Sequence, residues 1–381
     1  MKLNVKLLSE RIKNRAENDI KENNISGVSL AVINTKETLY KAHFGTLSAE
    51  DDKPLDDNTL FRMASMTKPI TAVAVMALFD KGLIEIDDPI EKYLPQFKDR
   101  YIAEMRNGKA VKVRKAETAL TVKCLLTHTA GILSGDSEAY YTNNLSGEVN
   151  KTLKETVDYY STVGLGFEPY SKEQYSPTAA FDVLARIIEV ISDIDYAEFV
   201  KKNITEPCGM TDTTFTPTEE QWQRVIPMHE KANGKSGVYE MPKNCVFGNV
   251  PTTHPLGGAG LVSSLKDYTA FARMLLNKGR ISGNRIISEK AVKLISTPQV
   301  PESIMPGNVR WGLGVRVITS EKYQYLPVGT FGWSGAYGTH FWIDPVNNIA
   351  AVYMKNSIFD GGSDAVTASN FEKDIFNSFV E

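Results

Sequence analysis

Residues 65–79 read Ser65-Met66-Thr67-Lys68-Pro69-Ile70-Thr71-Ala72-Val73-Ala74-Val75-Met76-Ala77-Leu78-Phe79, and this apolar run predicts a buried helix. Pro69 fits the first turn of a helix better than its interior, so the helix should begin near Ser65. Residues three apart share one face of a helix, so the hydroxyl of Ser65 and the amine of Lys68 can meet.

The pairing of Ser65 with Lys68 predicts nucleophilic chemistry. A serine hydroxyl is a weak nucleophile near neutral pH, and a lysine shielded from water can act as its base because burial disfavours the charged amine. The free N–H groups and the positive dipole end at the start of a helix also favour a developing oxyanion. A capping serine with a solvated lysine would give the same spacing by chance. The apolar residues around it favour the catalytic interpretation, because they would bury both side chains.

Composition excludes several classes of function. The chain has 381 residues, 23% of them charged, and a net charge of −3, with no basic stripe for nucleic acid. Its three cysteines form no C-x-x-C pair, which favours a reducing compartment. No signal peptide or membrane span is evident, so we expect a cytoplasmic protein. The five histidines are dispersed, so we expect no metal site. Gly258-x-Gly260-x-x-Ser263 lacks the third glycine of a dinucleotide fingerprint, so we expect no nucleotide cofactor. The sequence does not determine the oligomeric state.

Strand-like segments lie near both ends of the chain, while the middle is mainly helical. Strand character is found at residues 27–33, 39–45, 312–317, 330–333, 340–343 and 349–354. This order predicts an α+β fold, with an antiparallel β-sheet flanked by helices and an inserted all-helical domain. We assign residues 1–84 and 240–381 to the sheet domain and residues 85–239 to the helical domain, with the active site at their interface.

A second candidate motif is Tyr175-Ser176-Pro177, which lies between a loop rich in glycine and proline and the next helix. A loop fixed against a helix is a common place for a functional side chain. A tyrosine beside a lysine can act as a general base, because the positive charge favours its phenolate. The structural alternative is a tyrosine packed at the helix entry with its hydroxyl bonded to backbone.

A third candidate is Trp333-Ser334-Gly335-Ala336, between two strand-like segments. Gly335 would let the backbone pass close to a substrate, and the N–H of Ala336 could form an oxyanion hole with the N–H of Ser65. The structural alternative is a tight turn with Trp333 in the core. With Gly332 before them, the same residues are one substitution away from a G-x-S-x-G nucleophile elbow. The pattern that follows predicts a strand rather than the helix an elbow needs, so Ser334 ranks below Ser65.

In this order, Ser65-x-x-Lys68, Tyr175-Ser176 and Trp333-Ser334-Gly335 resemble the three motifs of the class C β-lactamase-like serine hydrolases. This group includes class C β-lactamases, DD-peptidases and family VIII carboxylesterases. The resemblance implies a β-lactamase/transpeptidase-like fold and a role for each motif. Ser65 is the acylated nucleophile, Lys68 and Tyr175 handle the proton, and the N–H groups of Ser65 and Ala336 form the oxyanion hole. Trp333, Ser334 and Gly335 line the substrate site.

Two positions depart from the pattern of the lactamases and peptidases. Pro177 stands where an asparagine is usual, and Trp333 stands where a lysine or a histidine begins the third motif. A tryptophan at this position is typical of the esterases and of some uncharacterised relatives, so the motifs resemble the family VIII carboxylesterases most closely. Both changes make the site more apolar, which favours a neutral ester over a charged β-lactam or peptide. We expect a serine hydrolase that cleaves small carboxylic esters through an acyl-enzyme on Ser65. The alternatives are a β-lactamase, a D-amino-acid peptidase or an acyltransferase of the same fold, and a non-catalytic penicillin-binding-like scaffold or sensor.

Overall fold

A computed structural model describes residues 2–106, 109–133, 152–241, 254–363 and 365–380. Within these ranges six helices have ten or more residues: α1 (Val5–Lys21), α2 (Thr67–Asp80), α3 (Leu153–Thr162), α4 (Ala179–Ser192), α5 (Leu265–Leu276) and α6 (Val366–Phe376). The shorter helical segments are Ala64–Met66, Ile90–Lys92, Pro95–Phe97, Val122–Leu126, Tyr196–Val200, Lys201–Thr205, Glu206–Cys208, Glu219–Arg224 and Glu289–Ile295.

An eight-stranded antiparallel sheet forms the centre of the fold. In chain order its strands are β1 (Gly27–Ile33), β2 (Thr38–Ser48), β3 (Asp51–Pro54), β4 (Val309–Trp311), β5 (Arg316–Ile318), β6 (Phe331–Ser334), β7 (His340–Asp344) and β8 (Ile349–Met354). Across the sheet they are ordered β4-β5-β6-β7-β8-β1-β2-β3. Strand β8, near the C-terminus, therefore pairs with β1, near the N-terminus. This confirms the prediction of an antiparallel sheet built from both ends of the chain.

Alternate residues of the central strands enter two separate cores. Ala350, Val352 and Met354 of β8 belong to the larger core, which also contains α2, α4 and α5. Ala351 and Tyr353 of the same strand belong to a smaller core with residues of α1 and α6. Successive side chains of a strand point to opposite faces, so a strand covered on both faces has no polar side. The helices therefore form one layer on each side of the sheet.

Smaller antiparallel pairs complete the described structure. They are Lys2–Leu3 with Phe379–Val380, Leu60–Arg62 with Val262–Ser264, Tyr101–Arg106 with Lys109–Lys115, Met228–Ala232 with Lys235–Tyr239, and Arg280–Ile281 with Asn284–Arg285. Two of these hairpins fall inside residues 85–239. This range therefore contains strands as well as helices, whereas the sequence predicts helices alone. The division into a sheet domain of residues 1–84 and 240–381 and an inserted domain of residues 85–239 stays a prediction.

One predicted strand is wrong in its bounds. The sequence predicts a strand over residues 312–317, whereas residues 312–315 form a turn between β4 and β5, and only Arg316 and Val317 lie in a strand. Gly314 has a φ of +71°, a left-handed conformation that favours glycine, and its N–H donates to the carbonyl of Leu126. Apolar residues on both sides of the turn imitate a continuous strand. None of the described helices has the length and apolar character needed to span a membrane.

Candidate active site

Ser65 lies at a sharp transition from a strand to a helix. The strand Leu60–Arg62 leads into the helical turn Ala64–Met66, and α2 follows at once. Ala64 has a φ of +45°, which is uncommon for a residue with a side chain and stores local strain. The strand pairs with Val262–Ser264, and the N–H of Met63 donates to the carbonyl of Leu261. The segment that leads into the turn carrying Ser65 is therefore held by hydrogen bonds to residues 261–264.

Lys68 is completely buried beneath Ser65. Its amine Nζ lies 3.2 Å from Oγ of Ser65 and donates to the backbone carbonyls of Pro177, at 2.5 Å, and Gly258, at 2.8 Å. It also lies 5.0 Å from the ring centre of Tyr175. A buried amine needs hydrogen-bond acceptors, and here three neighbours supply them. The predicted contact between the serine and the lysine is confirmed.

Tyr175 completes the cluster from a segment far away in sequence. Its hydroxyl donates to Oγ of Ser65 at 2.7 Å, across 110 residues of chain. His128 holds the segment on both sides, because its carbonyl accepts from the N–H of Gln174 and its Nδ1 accepts from the N–H of Ser176 at 3.0 Å. The structure thus brings Ser65, Lys68 and Tyr175 together, as the motifs predicted.

His128 is buried behind the cluster. Its ring centre lies 4.5 Å from that of Tyr175 and 4.4 Å from that of Trp311. Burial lowers the pKa of His128 well below its usual value near 6.5, and the nearby positive charge of Lys68 lowers it further. The imidazole is therefore neutral at neutral pH, and its Nδ1 stays available as an acceptor for the Tyr175 loop.

We expect this histidine to make folding stability depend on pH. Because the folded pKa lies below the unfolded one, the unfolded chain binds the proton first as the pH falls. The stabilisation is complete above about pH 6.5, and at most about 1.4 kcal/mol is lost per pH unit below it. Thermal melts at pH 7.5 and 5.5 should show a smaller acid-induced fall in Tm for His128→Gln than for the wild type. An equal fall in both proteins would contradict this prediction.

Trp333 forms an aromatic wall with two other rings. Its ring centre lies 5.5 Å from that of Tyr175 and 4.6 Å from that of Trp311. The indole is 9% exposed, and its N–H has no hydrogen-bond partner in the described part of the chain. Trp311 is anchored by an indole N–H that donates to Glu173 at 2.9 Å. An apolar surface therefore lies next to the tyrosine of the cluster.

The turn after β6 packs against the backbone just before Ser65. A Cβ at Gly335 would lie 2.3 Å from the carbonyl oxygen of Met63 and would clash with it, so the position requires glycine. Thr339 donates to the same carbonyl at 3.0 Å. Ala336 is exposed, and its N–H makes no backbone hydrogen bond in the described ranges. The turn thus packs Gly335 and Thr339 against Met63, two residues before Ser65, and the oxyanion-hole role of Ala336 stays a prediction.

Ser334 lies on the opposite face of the sheet from Trp333. Trp333 belongs to the larger core, whereas Ser334 pairs with His340 two residues before Trp342 of the smaller core. Its Oγ lies 2.8 Å from Nδ1 of His340, and Nε2 of His340 lies 3.0 Å from Glu372. This serine–histidine–glutamate chain is buried beside a cavity of about 20 Å³, with room for a water but not for an acyl group. Ser334 is therefore not placed to act as a nucleophile.

Sequence reasoning missed several residues that shape the site. His128 was visible only as a polar residue within the stretch Leu125-Leu126-Thr127-His128-Thr129-Ala130-Gly131-Ile132. Trp311 gave no signal, because a tryptophan near a strand is usually core. Pro177 was judged by its missing amide, whereas the structure uses its backbone carbonyl to bind Lys68.

A serine whose Oγ is bonded to a buried lysine and a tyrosine, in this arrangement of sheet and helices, is typical of the active-site serine hydrolases. The chain belongs to the beta-lactamase family, whose model matches residues 12–370. Protein Rv1367c of Mycobacterium tuberculosis is 28% identical over 370 residues, covering 90% of this chain and 89% of that protein.

Two further relatives are similar over nearly their full lengths. Esterase EstB of Burkholderia gladioli is 27% identical over 386 residues, covering 94% of this chain and 93% of that protein. The solved structure of EstCE1, a hydrolase with promiscuous acyltransferase activity, matches with a TM-score of 0.82 at 22% identity. It covers 98% of this chain and 99% of that one, and it supports the fold alone.

Proposed function

We propose that this serine hydrolase cleaves small carboxylic esters through an acyl-enzyme on Ser65. The observation that carries the proposal is that Oγ of Ser65 lies within hydrogen-bond distance of both Nζ of Lys68 and the hydroxyl of Tyr175. A nucleophile needs a base within this distance, and a pair of such groups can take the proton and return it later.

Acylation would begin as Oγ of Ser65 attacks the ester carbonyl. Its proton passes to the pair formed by Lys68 and Tyr175, and the carbonyl oxygen becomes an oxyanion. The N–H groups of Ser65 and Ala336 would stabilise this charge, since such preorganised donors act most strongly where charge develops. The ester C–O bond then breaks, and the leaving alkoxide takes the proton from the same pair.

Deacylation would repeat these steps with water. The pair accepts a proton from the water that attacks the acyl carbonyl, and the same N–H groups hold the second oxyanion. When this intermediate collapses, Oγ of Ser65 leaves and regains its proton. The cycle consumes one water and yields a carboxylic acid and an alcohol, with no cofactor.

The surroundings of the cluster support an ester rather than a β-lactam or a peptide as substrate. Pro177 offers no side-chain amide to a substrate amide, and its backbone carbonyl already binds Lys68. Trp333 places an indole where a cation would hold a substrate carboxylate, and its ring packs against Trp311 and Tyr175. Neutral acyl and alcohol groups match such an apolar wall, whereas a carboxylate would lose hydration against it.

A substrate panel tests the proposal directly. Purified protein is incubated with p-nitrophenyl esters of short acids, with a penicillin and with a peptide that ends in D-alanine. We expect sustained release of p-nitrophenol at a kcat/KM above that for the other two substrates. Faster hydrolysis of the penicillin or the peptide would replace the ester proposal with the lactamase or the peptidase. A single burst without turnover would favour the scaffold.

Trp333 should set the preference for neutral substrates. We expect Trp333→Lys to lower kcat/KM for a neutral ester and to raise it for a penicillin. A new charge-assisted contact with the carboxylate would contribute about 1–3 kcal/mol, or about 5- to 150-fold. The measurement is kcat/KM for one ester and one penicillin in both proteins.

Trp333→Phe is the matched control, because it keeps an apolar ring at the wall and adds no charge. It should change ester turnover less than Trp333→Lys does and should leave penicillin turnover unimproved. If both variants improve penicillin turnover equally, the gain comes from space at the wall rather than from charge, and the prediction is wrong.

The remaining assignments about partners and location stay proposals. We propose a small-molecule ester or amide substrate as the partner, with no nucleic acid and no membrane. The two described cysteines, Cys124 and Cys208, are buried and free, which is consistent with a reducing compartment such as the cytoplasm. Cys245 lies outside the described residues. Fractionation of the source cells, with detection by antibody, would test the cytoplasmic location.

A further inference from the structure

Asp182 is a fully buried carboxylate in the first turn of α4. Its neighbours in the helix, Phe181 and Val183, are buried and apolar, so the charge has no solvent around it. Burying a carboxylate is costly unless hydrogen bonds or charges compensate it. The N-terminal end of a helix supplies part of this compensation, because its dipole favours negative charge. Asp182 therefore needs further compensation from a hydrogen-bond donor or a positive charge.

The principal contact of Asp182 is a backbone N–H next to the catalytic cluster. Its Oδ1 accepts from the N–H of Gly257 at 2.9 Å, and its Oδ2 lies 3.5 Å from Nε2 of His254. The carbonyl of the next residue, Gly258, accepts from Nζ of Lys68 at 2.8 Å. The N–H that binds the carboxylate and the carbonyl that binds the lysine therefore belong to two consecutive residues.

The second acceptor of the lysine belongs to the same packed junction. The carbonyl of Pro177 binds Nζ of Lys68, and α4 begins directly after that loop. A Cβ at Gly258 would lie 2.7 Å from the carbonyl oxygen of Pro177, and one at Gly257 would lie 2.2 Å from that of Phe181. The two segments leave no space for side chains, so a shift of one carries the other with it.

No carboxylate in the described ranges lies within ion-pair distance of Lys68. The position of the amine therefore depends on backbone carbonyls. The orientation of these carbonyls depends on how firmly their chain segments are held. Misplacing a catalytic group by about 1 Å can cost about 10²-fold in rate. Two side chains hold the segment that carries one of these carbonyls: Asp182 accepts from the N–H of Gly257, and Oγ1 of Thr71 donates to the carbonyl of Gly257 at 2.6 Å.

We propose that Asp182 is a positioning residue for Lys68, holding the Gly257–Gly258 backbone so that its carbonyl keeps the amine beside Ser65. The inference rests on the proposed function only in that Lys68 must take part in acylation. Asp182 itself touches neither Ser65 nor a substrate and acts through the lysine.

The test is a double-mutant cycle in single-turnover acylation with p-nitrophenyl acetate. Asp182→Ala should lower the acylation rate about 10- to 100-fold in the wild-type background, with KM changed by less than about two-fold. In the Lys68→Ala background the same substitution should cost less than about two-fold, since the group it positions is gone. Asp182→Asn keeps an oxygen that can accept from Gly257, but neutral acceptors are weaker, so it should lose about 3- to 10-fold.

Asp374→Ala is the control for a structural effect, since it removes another buried carboxylate, one that joins α6 to Arg15 of α1 on the opposite face of the sheet. It should lower Tm but leave acylation per folded molecule unchanged in both backgrounds. If Asp182→Ala does not fold, the cycle is run with Asp182→Asn. Equal losses with and without Lys68, or full activity in a folded Asp182→Ala, overturn the inference. A wild type without ester turnover refutes the proposed function instead.

Discussion

Ser65→Ala is expected to remove nearly all hydrolytic activity, with a loss of roughly 10³-fold or more in kcat/KM if chemistry is rate-limiting. The oxygen removed is the atom that Lys68 and Tyr175 both contact, at 3.2 Å and 2.7 Å. Without it no acyl-enzyme can form, and only binding and the oxyanion hole remain. The measurement is turnover of a p-nitrophenyl ester, together with the mass of the protein after a brief incubation with substrate. The wild type should gain the mass of one acyl group and the variant should not.

Ser334→Ala is the matched control, because it removes the rival serine of the near-elbow Gly332-Trp333-Ser334-Gly335-Ala336. Ser334 is 3% exposed and bonded to His340 on the far face of the sheet, so most of the activity should remain. An inactive Ser334→Ala beside an active Ser65→Ala would reverse the assignment of the nucleophile.

Lys68→Ala and Tyr175→Phe should each slow acylation severely, and the double variant should be little worse than either. General acid–base groups contribute about 10²- to 10⁴-fold, and groups that move one proton together give losses that do not add. The structure supports a shared role, because both groups approach the same oxygen and Nζ lies 5.0 Å from the tyrosine ring. The measurement is the rate of acylation in the four proteins of the cycle.

One substitution in the smaller core controls for lost packing. Tyr353→Phe removes a buried tyrosine hydroxyl there. It should leave the rate per folded molecule unchanged. Fully additive losses for Lys68→Ala and Tyr175→Phe would mean that the two groups serve separate steps, and the shared role would have to be abandoned.

Local patterns in the sequence predicted the elements that carry the site. Strand β1 was predicted with its observed bounds, because a short β-branched run enclosed by turn residues has few alternatives. The turn between β4 and β5 was not predicted, because Gly312 and Gly314 lie between apolar residues that continue the strand pattern. The hairpin Tyr101–Arg106 with Lys109–Lys115 was also missed, since its two buried residues in the described part of the chain, Ile102 and Ala103, are adjacent and give no alternating pattern to detect.

The sequence by itself determined the contact between Ser65 and Lys68, because residues three apart on a helix meet whatever the rest of the fold does. Only the tertiary structure decided that Tyr175 reaches Ser65 across 110 residues, that Ser334 faces away from it, and that Asp182 lies one peptide unit from an acceptor of Lys68. These relations depend on strand register and on packing between distant segments, whereas periodicity in a sequence reports only on neighbours within one element.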